Sequence, residues 1–301
     1  MTAIGFVGLG AMGSRMAGRL LPGNQVSGTN RSPDKAAGLI ARGLVWRDTP
    51  REVAEASEVI FSMIADDAAL GAITGGPDGI LAGLKPGQVY ADMSTVSPRA
   101  SRALAQSVRA RGASLLDAPV SGSVNAAEQG TLAIMVGGPG EAFAAAEPLL
   151  RQLGQTVTHI GANGQALVLK LAINLSIGAQ MQAFSEGVLL AERSGIDPKL
   201  ATEVMAGSAI GSPMLRARAP FVLDLPDQAW FDVRLMRKDL GLTLDAAREL
   251  GVPVPSAALA DAELARAEEL GYGRQDIAVL FRALAEAAGW PGPGAAAGDA
   301  G

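Results

Sequence analysis

Three groups of residues in this 301-residue chain have types and spacings suited to chemistry. Lys170 is the first: no other charge occurs between Gly161 and Ser185, and leucine, isoleucine, valine and alanine surround it. A lone ammonium on an apolar helix is expensive to bury unless it has a task. Asn174, four residues on, shares its face. The second group is Gly8-Leu9-Gly10-Ala11-Met12-Gly13, directly after the apolar run Ala3–Val7 and directly before a helical pattern. In that setting the first glycine permits a tight turn, the second lets the backbone approach a pyrophosphate, and the third lets helix and strand pack closely. The pyrophosphate then sits against the free N–H groups and the positive end of the helix. The third is Asn30-Arg31-Ser32, about twenty residues after the glycines, where an NAD enzyme usually places a carboxylate on the ribose 2′-hydroxyl. An amide, a guanidinium and a hydroxyl suit a 2′-phosphate instead, so NADP is expected in preference to NAD.

The elements that must hold these groups follow from periodicity and punctuation. Strands are expected at 3–7, 25–29, 59–64, 89–93, 115–120, 130–138 and 157–160, with a helix closing at 54–58 and another from Arg99 to Arg111. Met63 and Ile64 fall at the carboxyl end of their strand, where open α/β sheets hold ligands. Alternation of strands and helices through residue 160 predicts a doubly wound parallel sheet. From Asn163, placed as an N-cap, to a stop at Gly195 runs one helix of roughly 45 Å. The uncharged run from Leu171 to Ser185 is too short for a membrane span and is interrupted by Asn174, Ser176, Gln180 and Gln182. Beyond it no strand pattern survives: helices are expected at 199–205, 233–250, 256–270 and 275–288, with a looser section from Gly207 to Phe231. The expected layout is therefore a cofactor-binding domain over 1–162, an all-helical domain over 163–290 that includes the long helix, and a low-complexity, disordered tail over 291–301.

Composition removes several function classes. With no cysteine, thiolate nucleophiles, disulfides and cysteine metal sites are excluded, and the single histidine, His159, excludes a multi-histidine metal site. His159 reads as structural, and Asp117 as a turn-maker. A net charge of −5 with no basic run argues against nucleic acid. The N-terminus enters a strand at once, without a leader pattern, so the cytoplasm is the expected compartment.

Five blocks stand in order: GLGAMG, DMSTVSP, DAPVSGS, GANGQALVLKLAIN and MRKDLGL. Together they resemble the β-hydroxyacid dehydrogenase family, which includes 3-hydroxyisobutyrate dehydrogenase, tartronate semialdehyde reductase and glyoxylate/succinic semialdehyde reductase. SGS at 121–123, FSEG at 184–187 and GSPM at 211–214 are most similar to the last branch. The resemblance implies a Rossmann-type sheet and a helical domain joined by the long helix. It implies a pyrophosphate turn at Gly8, Leu9, Gly10, Ala11, Met12 and Gly13, with Asn30, Arg31 and Ser32 as the NADP-preferring corner. Met63, Ile64, Thr95 and Lys238 would border the cofactor. Ser121, Gly122 and Ser123 would hold a substrate carboxylate, Lys170 would be the catalytic lysine, and Asn174, Phe231 and Asp239 would complete the substrate site. Where the family often has two asparagines after the lysine, the first is Ile173 here.

The implied reaction needs a hydride, a proton and a clamp. Without cysteine, and with one histidine remote from every motif, the proton comes from lysine, tyrosine or a carboxyl group; Lys170 fits, as its ammonium can stabilise an oxyanion and protonate it. The expected activity is NADPH-dependent reduction of a small carboxylate-bearing aldehyde by a homodimer or homotetramer. The alternatives are NAD-linked oxidation of 3-hydroxyisobutyrate, imine reduction, and a cofactor-binding module without turnover.

Overall fold

The computed structural model describes residues 1–290; the tail expected at 291–301 lies outside the described residues. Packing divides the chain into two units, one from Met1 to Lys170 and one from Leu171 on, so the division falls inside the long helix.

In the first unit, strands β1 (Ala3–Val7), β2 (Gln25–Thr29) and β3 (Val45–Trp46) enclose helices α1 (Ala11–Leu20) and α2 (Ala37–Ile40). They are followed by α3 (Pro50–Glu55), β4 (Val59–Ser62), α4 (Asp67–Thr74), α5 (Ile80–Gly83), β5 (Val89–Asp92), α6 (Pro98–Arg109) and β6 (Ser114–Asp117). The unit then runs through β7 (Val120–Ser121), α7 (Val124–Gln129), β8 (Leu132–Gly137), α8 (Gly140–Leu153) and β9 (Gly154–Gly161). The sheet order is β3-β2-β1-β4-β5-β6-β8-β7, with β9 beside β8. β1 to β6 pair in parallel, as the alternation predicts. β8 departs from that expectation by running antiparallel to β6 and β7. β6 and β7, separated only by Ala118 and Pro119, run in the same direction, and β8 returns against both.

Side chains alternate between two apolar layers, as a sheet buried on both faces requires. Ile4, Phe6, Phe61, Ala91 and Leu116 join the cluster that takes in Met16 and Leu20 of α1, while Val7, Ile60, Tyr90 and Leu115 join Val53, Leu104 and Leu167. Strand ends are trimmed relative to expectation: β4 stops at Ser62 and β5 at Asp92, which releases Met63, Ile64 and Met93 into the loops.

Helix α9 (Gln165–Arg193) has the expected length and stop, for Gly195 takes φ 90° and Ile196 N–H reaches back to the Ala191 carbonyl. By length and composition it could cross a membrane. It is a core helix: Met181, Phe184 and Val188 are buried within the second unit and Leu167 within the first. Its start corrects one expectation. Asn163 does not cap the helix; its amide nitrogen donates instead to Leu115 and Gly137 carbonyls and to Asp117.

The second unit adds α10 (Pro198–Gly207), α11 (Pro213–Leu223), α12 (Val233–Leu250), α13 (Pro255–Ala267) and α14 (Leu280–Ala287). The expected loose section is corrected by α11. Pro213 occupies the first turn, where a missing N–H is harmless, and Ser212 caps the helix through Leu215 N–H.

Candidate active site

Three turns at the carboxyl ends of β1, β2 and β4 are stitched together by backbone. Gly8 N–H donates to Thr29 O and Met63 N–H to Val7 O, and Leu9 N–H donates to Asn30 Oδ1 at 3.1 Å. The Asn30 amide in turn donates to Ser32 O at 3.0 Å. Asn30 is thus a strut between the glycine turn and the next loop.

The glycines divide by cause. Gly8 has φ 94°, and a Cβ there would lie 2.4 Å from Met63 O; at Gly13 it would lie 2.0 Å from Gly8 O. The protein's own packing requires both. Gly10 has an extended backbone that any residue adopts, and a Cβ would meet nothing within 4 Å. No protein atom accounts for glycine there, whereas a ligand resting on the N-terminus of α1 does. That helix has no side-chain cap and no acidic residue in its first turn. The residues present therefore fit a dinucleotide pyrophosphate.

Arg31 is exposed and pairs with no carboxylate among the described residues. A groove of about 690 Å³ beside α1 and α2 is lined by Arg15, Arg19, Lys35 and Arg42 against one carboxylate, Glu128. Arg15, Arg19 and Arg42 donate to backbone carbonyls, so their charges remain uncompensated by acids. Lys35 and Arg15 escape motif reading, because their signal is a helix face rather than a contiguous string.

The next loops are ordered by a buried carboxylate. Asp92 Oδ1 accepts from Ser62 Oγ at 2.6 Å and Ser94 Oγ at 2.7 Å, and Ser94 Oγ accepts from Ile64 N–H at 2.9 Å. The Met63-Ile64 turn and the Thr95 loop are joined through Asp92 and Ser94, although neither Asp92 nor Ser94 was foreseen as a site residue. Burial pushes the Asp92 carboxyl up, the two serines hold it down, and the nearby Asp117 charge pushes it up again. Burial likewise raises Tyr90, whose hydroxyl meets Ser62 Oγ.

Ser121 ends β7 and Gly122 follows with φ 146°. Ser123 has a structural task beyond its expected one: its Oγ accepts from Ala126 N–H and caps α7. Lys170 is buried on α9, 9% exposed. His159 Nε2–H donates to Gly138 O at 2.9 Å, and its ring stacks on Phe143. It is structural.

In the second unit, Asn174 is fully buried and its Nδ2 donates to Asp239 Oδ2, a short bond between α9 and α12. Lys238 pairs with its neighbour Asp239 at 2.7 Å. Thr243 Oγ1 donates to Asp239 O at 2.8 Å. Phe231 N–H and Trp230 N–H donate to Asp276 Oδ2, and Arg218 pairs with Asp276 Oδ1 at 3.2 Å, so Asp276 fixes the Phe231 loop. Asn174, Lys238 and Asp239 come together, while Phe231 belongs to a separate cluster around Asp276. No group of three or more metal-ligating side chains occurs among the described residues.

Each half of the chain matches a known family model. Residues 3–161 match the NAD-binding domain of 6-phosphogluconate dehydrogenase, and residues 164–284 match the NAD-binding region of NADP-dependent 3-hydroxyisobutyrate dehydrogenase. The chain is 37% identical to 3-hydroxyisobutyrate dehydrogenase of Pseudomonas aeruginosa, over 86% of this chain and 90% of that one. It is 32% identical to the chloroplastic glyoxylate/succinic semialdehyde reductase 2 of Arabidopsis thaliana, over 94% of this chain and 79% of that one. Among solved structures, Psf3 in complex with NADP+ and 2-OPP superposes with a TM-score of 0.85 at 29% identity, covering 93% of this chain and 99% of that one.

Proposed function

The chain belongs to the β-hydroxyacid dehydrogenase family, as an NAD(P)-dependent enzyme acting on CH–OH, and we propose that it is an NADPH-dependent reductase of a small carboxylate-bearing aldehyde. The observation that carries the cofactor preference is the corner after β2. Asn30 stands where a carboxylate would bind a ribose 2′-hydroxyl, and its amide is held by Leu9 and Ser32. Arg31 beside it pairs with no carboxylate among the described residues, and Lys35 follows four residues on, charges that favour a 2′-phosphate.

Bound reduced nicotinamide supplies the hydride. The chain supplies the rest. Gly8–Gly13 present backbone N–H groups to the pyrophosphate, and Met63, Ile64 and Thr95, in loops tied through Asp92 and Ser94, border the dinucleotide. Ser121 and the Gly122 N–H hold the substrate carboxylate, with Ser123 fixing that loop as a helix cap. Lys170 donates its Nζ proton to the developing alkoxide; in the reverse direction the neutral amine takes the proton back. On the second unit, Asn174, Asp239 and Lys238 form one polar cluster proposed to contact substrate and cofactor, and Phe231, in its own loop, is proposed as a further substrate contact. The named semialdehyde reductase relative favours this substrate class.

Assembly as a homodimer or homotetramer is part of the proposal. Leu190, Leu200 and Val204, on α9 and α10, are more than half exposed, an apolar surface that a second copy would cover. Cytoplasmic residence is proposed with it.

The test is consumption of NADPH and NADH at pH 7 against glyoxylate, succinic, tartronate and methylmalonate semialdehydes and a cyclic imine. Fast NADPH oxidation with one aldehyde acid is the expected result. Activity with NADH alone, or only in alcohol oxidation, would replace this proposal with NAD-linked 3-hydroxyisobutyrate oxidation.

A further inference from the structure

We propose that Asp117 is a positioning residue for the reaction, one carboxylate oxygen that ties together the segments carrying Thr95, Ser121 and Lys170. The proposal rests on Lys170 as the proton donor.

Asp117 closes β6 and is 1% exposed. Its Oδ1 accepts from Gly164 N–H at 2.9 Å, from Asn163 Nδ2 at 3.0 Å and from Ser101 Oγ at 3.4 Å. Gly164 is the last residue before α9, and Lys170 lies six residues further on, less than two helical turns. Ser101 lies in the first turn of α6, the helix that begins at Pro98 just after Thr95. β6 itself continues through Ala118 and Pro119 into β7, which ends at Ser121. Three functional segments, remote in sequence, therefore meet at one oxygen.

A residue that merely shapes a turn needs none of this. Pro119 already sets the local chain direction, and the donors at Asp117 come from positions 16, 46 and 47 residues away. Space around the carboxylate is closely fitted, since a Cβ at Gly137 would lie 2.6 Å from Asp117 Oδ2. Burial pushes the carboxyl up, against the Gly164 and Asn163 donors that hold it down. Because a helix moves as a rigid body, a displacement at Gly164 is transmitted to Lys170, and a misplacement of about 1 Å is enough to cost on the order of 100-fold in rate.

The test compares Asp117→Ala, Asp117→Asn and Asn163→Ala in the full chain. NADPH affinity is read by fluorescence, and kcat and KM are normalised to cofactor-binding sites. In Asp117→Ala we expect kcat to fall at least ~30-fold with NADPH affinity within ~2-fold of wild type, and its pH profile to move because the lysine is displaced. Asp117→Asn keeps an acceptor oxygen for Gly164 and should recover to within ~5-fold of wild type. Retained kcat per site in Asp117→Ala overturns the proposal, as does a loss of NADPH affinity in proportion to kcat, which would mark a general role in the fold. If Asp117→Ala does not fold, Asn163→Ala decides: an intact kcat overturns the proposal, and a reduced kcat with unchanged NADPH affinity supports it. Lys170→Ala is run in parallel. Turnover surviving there removes Lys170 as donor, whereas failure of the Asp117 variants alone leaves Lys170 in place.

Discussion

The two units bury polar groups in different places. In the first, Asp92 and Asp117 lie at strand ends, where Oδ1 of each gathers donors from adjoining turns, while Asp117 Oδ2 has no hydrogen-bond partner. In the second, Asn174, Gln182, Ser185 and Asp239 lie in the middle of helices, and Asn174 Oδ1, Gln182 Oε1 and Ser185 Oγ have no hydrogen-bond partner. Strand-end carboxylates organise loops whose backbone can face a ligand. Mid-helix amides instead incur a desolvation cost that only a specific partner offsets. Substitutions at the ligand-facing positions of the first unit should therefore change cofactor binding and chemistry with modest effects on stability, whereas substitutions of the mid-helix polar groups of the second should act chiefly on stability.

Lys170→Ala probes the junction and carries the largest expected effect. Turnover should drop by about 10²–10⁴-fold, the range of general acid–base catalysis, while NADPH affinity stays unchanged. A kcat within tenfold of wild type would remove the lysine from the mechanism.

Paired glycine variants come next. Gly13→Ala forces a Cβ to 2.0 Å from a backbone carbonyl and should lower stability by about 1–3 kcal/mol or more, as overpacking does. Gly10→Ala meets no protein atom, so its unfolding midpoint should match wild type while NADPH affinity falls at least ~10-fold, because the methyl occupies the pyrophosphate's place. Equal affinities for Gly10→Ala and wild type, by titration, would refute the ligand explanation of that glycine.

Asn174→Ala tests the second unit. It removes the Asn174 amide donor from the buried Asp239 Oδ2, and losing a hydrogen bond to a buried charged group costs about 1–3 kcal/mol. Urea unfolding should show that loss. A neutral result would mean that buried polar groups in the helices are not structural.

What the sequence made legible follows the same division. The glycine turn, the β2 corner and the SGS loop are contiguous strings in which each residue type answers a local backbone need, and the structure sets them at the strand ends as expected. Helix α12 was legible to the residue, because Asp232 and Gly251 cap its two ends. Illegible were relations made only by folding. Asn163 looks like a cap in sequence, yet β6 and β8 bring it Leu115 and Gly137 carbonyls and a carboxylate to bind instead. α11 hid behind Gly211 and Pro213, since a helix-opening proline and a helix-breaking one look the same until the register is known. Asp117 looked like a turn-maker because its donors at 101, 163 and 164 are distant in the chain.

The smallest expected effect concerns Asp92, and it tests whether strand-end carboxylates in the first unit are held charged against burial. Burial raises the Asp92 pKa above its ordinary value of 3.8, and the folded state therefore binds the proton more tightly than the unfolded chain does. Its favourable contribution is complete below that ordinary value and is lost as pH rises through the folded pKa. Asp92→Asn retains an oxygen for Ser62 and Ser94 but has no charge to bury. The stability of Asp92→Asn relative to wild type should therefore increase as pH is raised from about 4 to 8 in urea unfolding series. A difference that stays flat across that range would show that the hydroxyl donors fully offset burial. Strand-end acids and helix amides would then be equally inexpensive to hold, and the contrast between the two units would rest on position alone.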